Sequence, residues 1–599
     1  MMNKKLVHLI TLLPLWISTV NAQPNVIVIF MDDLGYNDIG VQTYPSQTDY
    51  FPNSGPTPWT NHTDPNIPAP NQASLLTPAI DSLAAQGLRM TQFYSSPKCS
   101  PSRGSLLTGR YDRRISINKV FFPKDNDGLN TTEVTLPELL RQNGYLTGMV
   151  GKWHLGYNPN KPNPWQMMPL RHGFSEFFGT PHSNDMSDFH LIRNETIEVA
   201  DFRSATEQAQ ITWRYTEAAL DFIQRSSMGD KPFFLYFAHS MTHIPCYPSD
   251  REFTNADGTV WPRFLGSSGV SQYYDVVREV DHSVGRILAR LDDLEIAKDT
   301  LVVFTSDNGP WLQLGRMNLT RRSVGSAYPL KDGKMTTWEG GCRVPFLVRW
   351  PGKIPASTIS DEVAGLVDFL PTFVAMAGGT VPGDRTIDGV DLSGLWTAQP
   401  GWTSPRSAYA LFDGKGELEA VIKGSWKLRD GKLYNLASDI QENEDLAAAE
   451  PTVLADLQAE KADIAASISS ESSPRGVFTD YEVAISTDEV QVGEGDTATF
   501  KVQLSADPGK TVVVSVAHFS GDEDLSVSAG ASLTFTSDNW STPRTVTLAA
   551  AQDADKGHSG ARFRLTTDDI FQVRELFAFE VDDDAATVHE TSLDSPPTF

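Results

Sequence analysis

Cysteine is scarce in this chain of 599 residues, which contains only Cys99, Cys246 and Cys342. Three cysteines allow one disulfide at most, so the fold cannot depend on a disulfide framework. Basic residues are also few: 49 lysines and arginines stand against 75 aspartates and glutamates, giving a formal net charge of −26. This charge argues against nucleic acid or an anionic membrane as a partner, although a local basic pocket can still receive an anion.

Long apolar runs are missing as well. The chain opens with MMNKK, continues with LVHLITLLPLWISTV and then reads NAQ. A charged start, an apolar segment and a small residue predict a signal peptide over residues 1–22, cleaved after Ala22. No later segment reaches the roughly 18 apolar residues that a transmembrane helix needs. We therefore expect an exported protein, periplasmic or secreted, without a membrane span.

Polar residues follow four apolar runs in the first part of the chain. The runs are NVIVIF (25–30), YLTGMV (145–150), FFLYFA (233–238) and LVVFTS (301–306). Because such runs alternate with helix-like segments, they predict an α/β fold with a large mixed, mostly parallel sheet flanked by helices. Ligand sites of open α/β sheets lie at the carboxyl ends of the strands. We therefore expect the polar residues after these runs to converge.

The pattern changes along the chain and predicts several units. The α/β domain is expected over residues 23–354, a smaller antiparallel subdomain over 355–466, a linker over 467–479, an all-β sandwich over 480–585 and a tail over 586–599. The segments VGEGDTATFKVQLS and FEVDDD resemble Calx-beta modules. The sandwich is expected to attach the protein to a polysaccharide or a cell surface, or to bind calcium at Asp582 to Asp584. The alternative is a passive spacer.

The stretch SSPKCSPSRGSLLTGR (95–110) gives one cysteine an unusual setting. Pro101 suits the first turn of a helix and Gly109 suits its end, so we predict a loop that enters a helix near Cys99. The amino end of a helix favours anions, and Arg103 and Arg110 add positive charge. Cys99 is therefore placed where an oxyanion can bind or react. The alternative is a small buried side chain.

The segment CSPSRGSLLTGR resembles the signature of the type I sulfatases, in which the cysteine is oxidised after translation to Cα-formylglycine. The likeness spans about residues 24 to 460 and continues through MDDLGYNDIG, TPAIDSLAAQG, LPELLRQNGYLTGMVGKWHLG, FTSDNGP and GKMTTWEGGCRVP. The chain is thus similar to the arylsulfatase-like family of the alkaline phosphatase superfamily. The resemblance implies an enzyme that hydrolyses sulfate esters and is matured by a formylglycine-generating enzyme.

The resemblance also implies a divalent cation site. Its ligands would be the side chains of Asp32, Asp33, Asp307, Asn308 and the modified residue at position 99. All of these are oxygen donors, which suits calcium. A hydrated aldehyde at position 99 would supply the hydroxyl that attacks sulfur, and Asp307 would accept its proton.

Basic residues inside the matching motifs receive the other roles that the resemblance implies. Arg103 and Lys152 would hold the hydrated aldehyde, and His154 would be the base that releases sulfate. His243 and Lys334 would contact the bridging oxygen, one of them as general acid. The candidates for substrate binding are Ser183, His239 and Arg343. For His239, the alternative is a packed structural histidine.

One segment departs from the compact pattern of the family. Residues 43–76 insert a run rich in Pro, Asn and Thr after the first predicted strand. We hypothesise that this insertion walls the substrate pocket and sets specificity, the alternative being a surface loop. Export and the added sandwich favour a sulfated polysaccharide or its oligosaccharides as the substrate, an association by architecture.

Three other functions stay open at this point. A phosphoester or phosphonate hydrolase of the same superfamily would act on the same tetrahedral oxyanion geometry. An inactive sulfoglycan-binding protein would bind through the sandwich and would not need Cys99. A calcium-stabilised structural protein is disfavoured, because that role does not require the lysines, histidines and arginines of the motifs.

Overall fold

The structure is a computed structural model that describes residues 23–42, 76–312, 324–552, 560–567 and 573–581. The predicted signal peptide (1–22), the Asp582 to Asp584 run and the tail (586–599) lie outside these described residues. So does the 43–76 insertion, apart from Leu76. Within the described residues, no helix is both long enough and apolar enough to cross a membrane.

The largest sheet has ten strands, in the spatial order β10-β2-β9-β8-β1-β7-β3-β4-β5-β6. In chain order the strands are β1 (Asn25–Met31), β2 (Leu88–Met90), β3 (Leu146–Lys152), β4 (Glu176–Thr180), β5 (Leu191–Arg193), β6 (Thr196–Val199), β7 (Phe233–Ala238), β8 (Thr300–Ser306), β9 (Phe346–Arg349) and β10 (Thr358–Ser360).

The four strands predicted from apolar runs are confirmed and lie side by side in the centre of the sheet. Strands β8, β1, β7 and β3 are parallel to one another. Their carboxyl ends therefore open on one edge, as the sequence indicated. The antiparallel pairings lie further out, at β9 with β8 and β2, and at β5 with β4 and β6. The sheet is therefore mixed, with a parallel centre.

Helices cover both faces of this sheet. The longer ones are α1 (Pro78–Ala85), α2 (Cys99–Thr108), α3 (Leu136–Gln142), α4 (Ile211–Ser226), α5 (Gln272–Asp293), α6 (Phe369–Met376) and α7 (Pro451–Ser470). Short helices of four residues cover Ala205–Gln208, Glu339–Cys342 and Ser393–Trp396. Single 3-10 turns lie at Gly40–Gln42, Pro169–Arg171, Ala297–Asp299 and Leu366–Asp368.

Strand β1 shows how the two cores are built. Because side chains alternate along a strand, Val28 and Phe30 enter one core with residues of α2, α3 and α6. Ile27 and Ile29 enter the other core, with residues of α1, α4 and α5. Burial on both faces explains why the strand reads as an uninterrupted apolar run.

A small antiparallel sheet follows, made of β11 (Tyr409–Phe412), β12 (Leu418–Lys423), β13 (Trp426–Arg429) and β14 (Lys432–Asn435). Helix α7 packs against it. The predicted boundary at residue 355 differs from this arrangement, because β10 pairs with β2 and so belongs to the large sheet. The apolar pattern is too short at β10 to reveal that pairing.

The predicted linker (467–479) is a packed segment. Helix α7 continues to Ser470, beyond the predicted start of the linker. The backbone of Gly476–Val477 then pairs with Asp127–Gly128, and Thr479 N–H donates to Gln166 Oε1 at 2.9 Å. Residues of this polar stretch therefore make contacts with the α/β part. Composition alone does not predict these contacts.

The C-terminal part contains two sheets that share one apolar core. One sheet holds β15 (Val483–Ile485), β17 (Thr497–Leu504), β19 (Leu525–Ala529) and β21 (Arg544–Ala550). The other holds β16 (Glu489–Gly493), β18 (Val512–Gly521), β20 (Ser532–Phe535), β22 (Gly560–Thr567) and β23 (Val573–Val581). Nine strands of the described residues therefore form the two sheets of this part.

Candidate active site

The acidic residues of the site emerge side by side from the centre of the large sheet. Strands β1 and β8 pair in register from Asn25 with Thr300 to Met31 with Ser306. Asp32 and Asp307 are the next residues of the two strands. Asp307 N–H donates to the Met31 carbonyl at 3.1 Å, and Asp33 N–H donates to Asp307 Oδ1 at 3.1 Å. The parallel register therefore brings together aspartates that are 274 residues apart.

Cys99 is the first residue of helix α2, where the sequence predicted the helix to begin. The helix ends at Gly109, whose φ of 67° is left-handed and so favours glycine. Cys99 is buried, and Lys334 Nζ lies 3.0 Å from its Sγ. Arg103 is one turn further along the helix, so its side chain lies on the same face as Cys99.

Two buried cations tie the carboxylates together. Arg103 Nη2 donates to Asp307 Oδ2 at 2.9 Å and lies 3.6 Å from Asp32 Oδ1. Lys152, the last residue of β3, donates to Asp32 Oδ2 at 2.6 Å and to Ser183 Oγ at 3.0 Å. Arg103 also donates to the Lys152 carbonyl at 2.9 Å. The predicted residues from five separate segments thus form one hydrogen-bonded cluster.

Lys334 and Asn308 complete this cluster around Asp33. Lys334 Nζ lies 2.5 Å from Asp33 Oδ1, and Asn308 Nδ2 donates to the same oxygen at 2.7 Å. His243 Nε2 lies 3.7 Å from the other oxygen, Asp33 Oδ2. Asp33 therefore joins the cysteine end of the site to the histidine end.

Three side-chain oxygens in the cluster are buried without a hydrogen-bond partner in the described residues, namely Asp32 Oδ1, Asp33 Oδ2 and Asn308 Oδ1. Ligand atoms of Asp32, Asp33, Cys99 and Asp307 all lie within 4.8 Å of one another. Buried polar atoms are normally satisfied, so a set of unsatisfied oxygens needs an explanation. A hard divalent cation prefers oxygen ligands of this kind. The residues present therefore fit a calcium-type site.

Burial and neighbouring charges shift the pKa values of Asp32 and Asp307, the two carboxylates beside Arg103, in opposite directions. Burial raises the pKa of Asp307, and the Asp32 charge raises it further against the effect of Arg103. For Asp32, burial is outweighed by Lys152, His243 and Arg103, which hold its pKa below the usual value. Asp32 is therefore the more firmly ionised carboxylate, whereas Asp307 binds a proton more readily.

The unmodified Cys99 thiol is a poor nucleophile in this setting. Burial raises its pKa to about 12, although Lys152 and Lys334 act in the opposite direction. A thiol with such a pKa is protonated at neutral pH, and the thiolate is the nucleophilic form. The cysteine side chain itself therefore does not explain the cations gathered around it.

Two histidines of the predicted site lie beside the cluster. His243 Nδ1 lies 2.6 Å from the Ile244 carbonyl and 3.0 Å from Asn184 Oδ1, so we assign the proton to Nδ1. His154 Nε2 lies 3.0 Å from the Phe121 carbonyl, which leaves Nδ1 as the free acceptor. Burial, followed by the charges of Lys152 and Arg103, holds the pKa of His154 well below its usual value.

The structure does not bring His239 and Arg343 into the cluster. His239 is fully buried against Phe237, with ring centroids 4.3 Å apart, and burial lowers its pKa to about 3. Arg343 Nε donates to the Thr91 carbonyl at 2.5 Å, and its Nη1 donates to Glu339 Oε2 at 3.2 Å. His239 is therefore packed inside the fold, and both residues lie outside the hydrogen-bonded cluster, so their substrate-binding roles stay predictions.

The sequence analysis did not identify several residues that contact the predicted site residues and fix their positions. Asn184 stands beside Ser183 in the TPHSND motif, but nothing in the spacing indicates its contact with His243. Thr242 Oγ1 donates to the Asp32 carbonyl at 3.0 Å. Asp38, in the MDDLGYNDIG motif, accepts from Tyr273 OH at 2.7 Å. Only the motif membership of Asn184 and Asp38 could have singled them out.

The fold and the cluster define a class of protein. An anion-binding helix start, a set of carboxylates suited to a divalent cation and buried lysine and arginine side chains are suited to esters of a tetrahedral oxyanion. A family model described as Sulfatase matches residues 24–379, more than half of the chain. The protein therefore belongs to the sulfatase family.

Curated relatives agree with this assignment. The chain is 36% identical over 391 residues to N-acetylgalactosamine-6-sulfatase from Canis lupus familiaris, a match that spans 62% of this chain and 65% of that protein. It is 34% identical over 434 residues to human arylsulfatase A, spanning 69% of this chain and 74% of that protein. The matched part is thus less than two thirds of the length of the first relative.

Solved structures share the fold. PsFucS1 sulfatase from Pseudoalteromonas sp. superposes with a TM-score of 0.61 at 24% identity, covering 75% of this chain and 91% of that one. Ps i-CgsB in complex with k-i-k-neocarrahexaose gives a TM-score of 0.56 at 26% identity, covering 74% of this chain and 92% of that one. Both matches leave about a quarter of this chain uncovered.

Proposed function

We propose that this protein is an exported sulfatase that hydrolyses sulfate monoesters on a sulfated polysaccharide or its oligosaccharides. The observation that carries the proposal is the buried cluster around Cys99, in which three unsatisfied oxygens and three cations meet at the start of a helix. The proposal includes conversion of Cys99 to Cα-formylglycine by a formylglycine-generating enzyme, and a calcium ion held by residues of the cluster.

The calcium ligands would be Asp32, Asp33, Asp307 and Asn308, together with the modified side chain at position 99. When bound, the ion supplies positive charge for the sulfate oxygens and lowers the pKa of the attacking hydroxyl. Around it, Lys152 fixes one oxygen of Asp32 and Asn308 Nδ2 fixes one oxygen of Asp33, so the remaining oxygens face the site. The ligand set is therefore held in place by its own hydrogen bonds.

The charge balance of the cluster favours an anionic substrate. Three carboxylates are matched by three cations, namely Asp32, Asp33 and Asp307 with Arg103, Lys152 and Lys334. This set is neutral before a divalent ion is added and carries an excess of positive charge once it is present. The attraction is local, which is how a protein of net charge −26 can bind a sulfate ester.

Formylglycine would supply an aldehyde whose hydrate has two hydroxyl groups, one to attack sulfur and one to help release sulfate. The raised pKa of the unmodified thiol supports the need for this change, since burial keeps that thiol protonated. Lys334 Nζ lies 3.0 Å from Cys99 Sγ, and Arg103 is one turn further along α2, so both are suited to orient the oxygens at position 99. Asp307, whose pKa is raised by burial, is suited to take the proton of the attacking hydroxyl.

The histidines divide the remaining proton transfers. Because His243 Nδ1 carries a proton, protonated His243 presents a second N–H at Nε2, toward Asp33 and the site. It is therefore suited to protonate the leaving alcohol, with Lys334 beside it. His154 is neutral and has a free acceptor at Nδ1, which suits the base that accepts a proton when sulfate is released.

A sulfated carbohydrate is supported as the substrate class by two of the similar proteins. One relative is an N-acetylgalactosamine-6-sulfatase, and Ps i-CgsB was solved with a neocarrahexaose. The insertion over residues 43–76 follows β1 in the sequence, and we propose that it walls the substrate pocket. The Calx-beta likeness of the C-terminal sandwich supports an attachment role for that unit.

The test joins a mass measurement to an assay. The tryptic peptide that contains position 99 is weighed from active and inactive preparations, and inorganic sulfate is measured after incubation with sulfated glycans. A loss of about 18 Da that tracks with sulfate release is expected. C99A should release no sulfate, whereas C342A, which alters another buried free cysteine, should retain activity.

The phosphoester alternative is tested in the same preparation. Turnover of nitrophenyl sulfate is compared with turnover of nitrophenyl phosphate by the converted protein, and the sulfate is expected to react faster. A converted protein that cleaves phosphate esters and releases no sulfate from any glycan would overturn the proposed reaction. The proposed reaction would also be overturned if the protein binds sulfated glycans but releases no sulfate after Cys99 has been converted in vitro.

A further inference from the structure

A cleft of about 940 Å³ lies between the α/β part and the C-terminal sandwich. One wall is formed by the end of α3 and by the glycine-rich loop 378–384. The other wall is formed by β18, β22 and β23 of the sandwich, including Phe519, Arg562, Phe577 and Phe579. None of these residues belongs to the cluster around Cys99.

The two walls are held together by direct contacts. The Arg141 guanidinium lies over the Phe577 ring, 4.6 Å from its centroid. Arg564 Nη1 lies 3.5 Å from the Thr132 carbonyl, and Lys161 Nζ lies 3.3 Å from Asp480 Oδ1. These contacts hold the sandwich against the α/β part, so the two walls of the cleft are fixed relative to each other.

The sandwich wall presents aromatic side chains on one face of β23. Phe577 and Phe579 are two residues apart, so both point to the same face. Across the β22 pairing, Arg562 is opposite Phe577 and Gly560 is opposite Phe579. The ring of Phe579 lies over Gly560, where an added Cβ would meet it at 3.3 Å, and Phe579 is still 43% exposed. An exposed aromatic ring in a cleft is a platform for an apolar ligand face.

The opposite wall presents an arginine with unused donors. Arg141 is half-buried, and its guanidinium makes no hydrogen bond or ion pair with the described residues, so its N–H groups are available beside the stacked Phe577. Three acids act on the charge of Arg141, namely Glu489, Glu575 and Glu138, and the last two are engaged elsewhere. Glu138 Oε2 accepts from Thr135 N–H at 2.7 Å, and Glu575 is paired with Arg562 and Arg564. A guanidinium of this kind can bind a sulfate group through two parallel hydrogen bonds.

We propose that this cleft is a second carbohydrate-binding site that holds a sulfated polysaccharide chain, with a sulfate on Arg141 and a sugar ring on Phe579. The choice of a sulfated carbohydrate rests on the proposed function, whereas the anionic and aromatic features rest on the cleft itself. A polymer bound here and in the catalytic cluster would be held at two points, which raises its effective concentration at the catalytic cluster. A small aryl sulfate would not benefit.

The experiment compares R141Q and F579A with two matched controls in the full chain. R193Q removes an arginine that also stacks on a phenylalanine, at 4.3 Å from the Phe178 centroid, and I359A removes an apolar side chain that is 60% exposed on β10. Affinity for dextran sulfate, ι-carrageenan and chondroitin sulfate is measured by calorimetry, with unsulfated dextran as the uncharged probe. Each cleft variant is expected to lose about 10- to 100-fold in affinity for at least one sulfated polymer.

Turnover and stability separate this site from the catalytic cluster. R141Q and F579A should keep the nitrophenyl sulfate kcat/KM and the Tm of the parent, while KM for the polymer rises. The proposal is overturned if no sulfated polymer binds the parent protein, if the controls lose as much affinity as the cleft variants, or if unsulfated dextran binds equally well. The proposal is also overturned if an acidic peptide binds through Arg141 and bound peptide does not compete with the sulfated polymer.

The outcome is independent of whether the protein is a sulfatase. If C99A and the parent bind a sulfated polymer equally and both depend on Arg141, the cleft site stands even when no sulfate is released. If sulfate is released normally but R141Q and F579A change nothing, the reaction stands and the cleft site fails.

Discussion

Lys152 Nζ lies 2.6 Å from Asp32 Oδ2, and neither side chain has any solvent exposure. The same ammonium group donates to Ser183 Oγ, so it links a predicted metal ligand, Asp32, to a predicted sulfate contact. A buried ion pair is costly to form, and removing one partner leaves an uncompensated charge. Lys152 therefore matters both for the shape of the cluster and for its charge.

Replacing Lys152 with methionine is expected to lower sulfate release by at least about 100-fold, because a buried cation near the developing charge is lost. Unfolding of the metal-free variant should become easier by about 3 kcal/mol, measured by urea denaturation. The matched control is K423M, which removes a surface pair with Asp456 and should cost no more than about 1 kcal/mol. Retention of kcat/KM within threefold in K152M would contradict this role.

His243 is expected to matter most for substrates with poor leaving groups. A general acid is worth about 10²–10⁴-fold when the leaving alcohol needs a proton, and much less for nitrophenol. H243A should therefore lose more activity on a sugar sulfate than on nitrophenyl sulfate, and N184A should show the same pattern with a smaller loss. Both rates are measured with the same preparation.

His239 provides the control for this prediction. It is a buried histidine four residues earlier in the chain, and H239A removes packing against Phe237. That variant should lose stability while keeping the ratio of the two rates unchanged. Equal losses on both substrates in H243A would remove the general-acid assignment. A changed ratio in H239A would restore the substrate-binding role predicted from sequence.

Much of the site could be predicted because it depends on chain order and strand ends. Asp32 and Asp307 follow apolar runs, and parallel pairing of these runs places the two aspartates together. Cys99 was marked by the helix signals at Pro101 and Gly109. These features are local in sequence, so motifs and strand patterns are enough to predict them.

The remaining contacts are not local and left no signal. Asn184 meets His243 across 59 residues, and Arg141 meets Phe577 across the boundary between two units. The sequence pattern does not predict such pairs, because they depend on how the folded helices, strands and loops pack together. The same limit explains Arg343, whose motif suggested a substrate contact but whose guanidinium binds Glu339 in the fold.

Glu279 on α5 is expected to make stability fall as the pH rises. It is buried, and burial raises its pKa from 4.5 to about 7 despite bonds from Ser249 and Trp261. The folded state therefore binds a proton more tightly than the unfolded state. Its contribution is full below about pH 4.5 and is lost as the pH rises to about 7, a loss of roughly 3 kcal/mol.

The measurement is the free energy of unfolding between pH 5 and 8. E279Q cannot titrate, so its stability should vary less over this range than that of the parent, and the free energy of unfolding of the parent should fall relative to that of E279Q as the pH rises. E252Q, which alters an exposed acid, should follow the parent curve. If E279Q and the parent have parallel curves, Glu279 does not titrate in this range.

Calcium is expected to stabilise the fold through the unsatisfied oxygens of the cluster. An ion that binds only the folded state adds about 3 kcal/mol at 100 times its Kd, so calcium should raise Tm and a chelator should lower it. Asp33 and Asn308 each contribute one of these buried oxygens. D33N and N308A should therefore reduce both the bound calcium per chain and the shift in Tm.

D361N serves as the control, because Asp361 is an exposed acid that should leave calcium content and Tm unchanged. Metal content is measured by mass spectrometry of the dialysed protein, which does not depend on conversion of Cys99 or on turnover. A chain that binds no divalent ion and has the same Tm with and without a chelator would leave the three oxygens unexplained. In that case Lys152, Lys334 and Arg103 alone would have to bind the sulfate, and D33N would raise affinity for the anion instead of abolishing it.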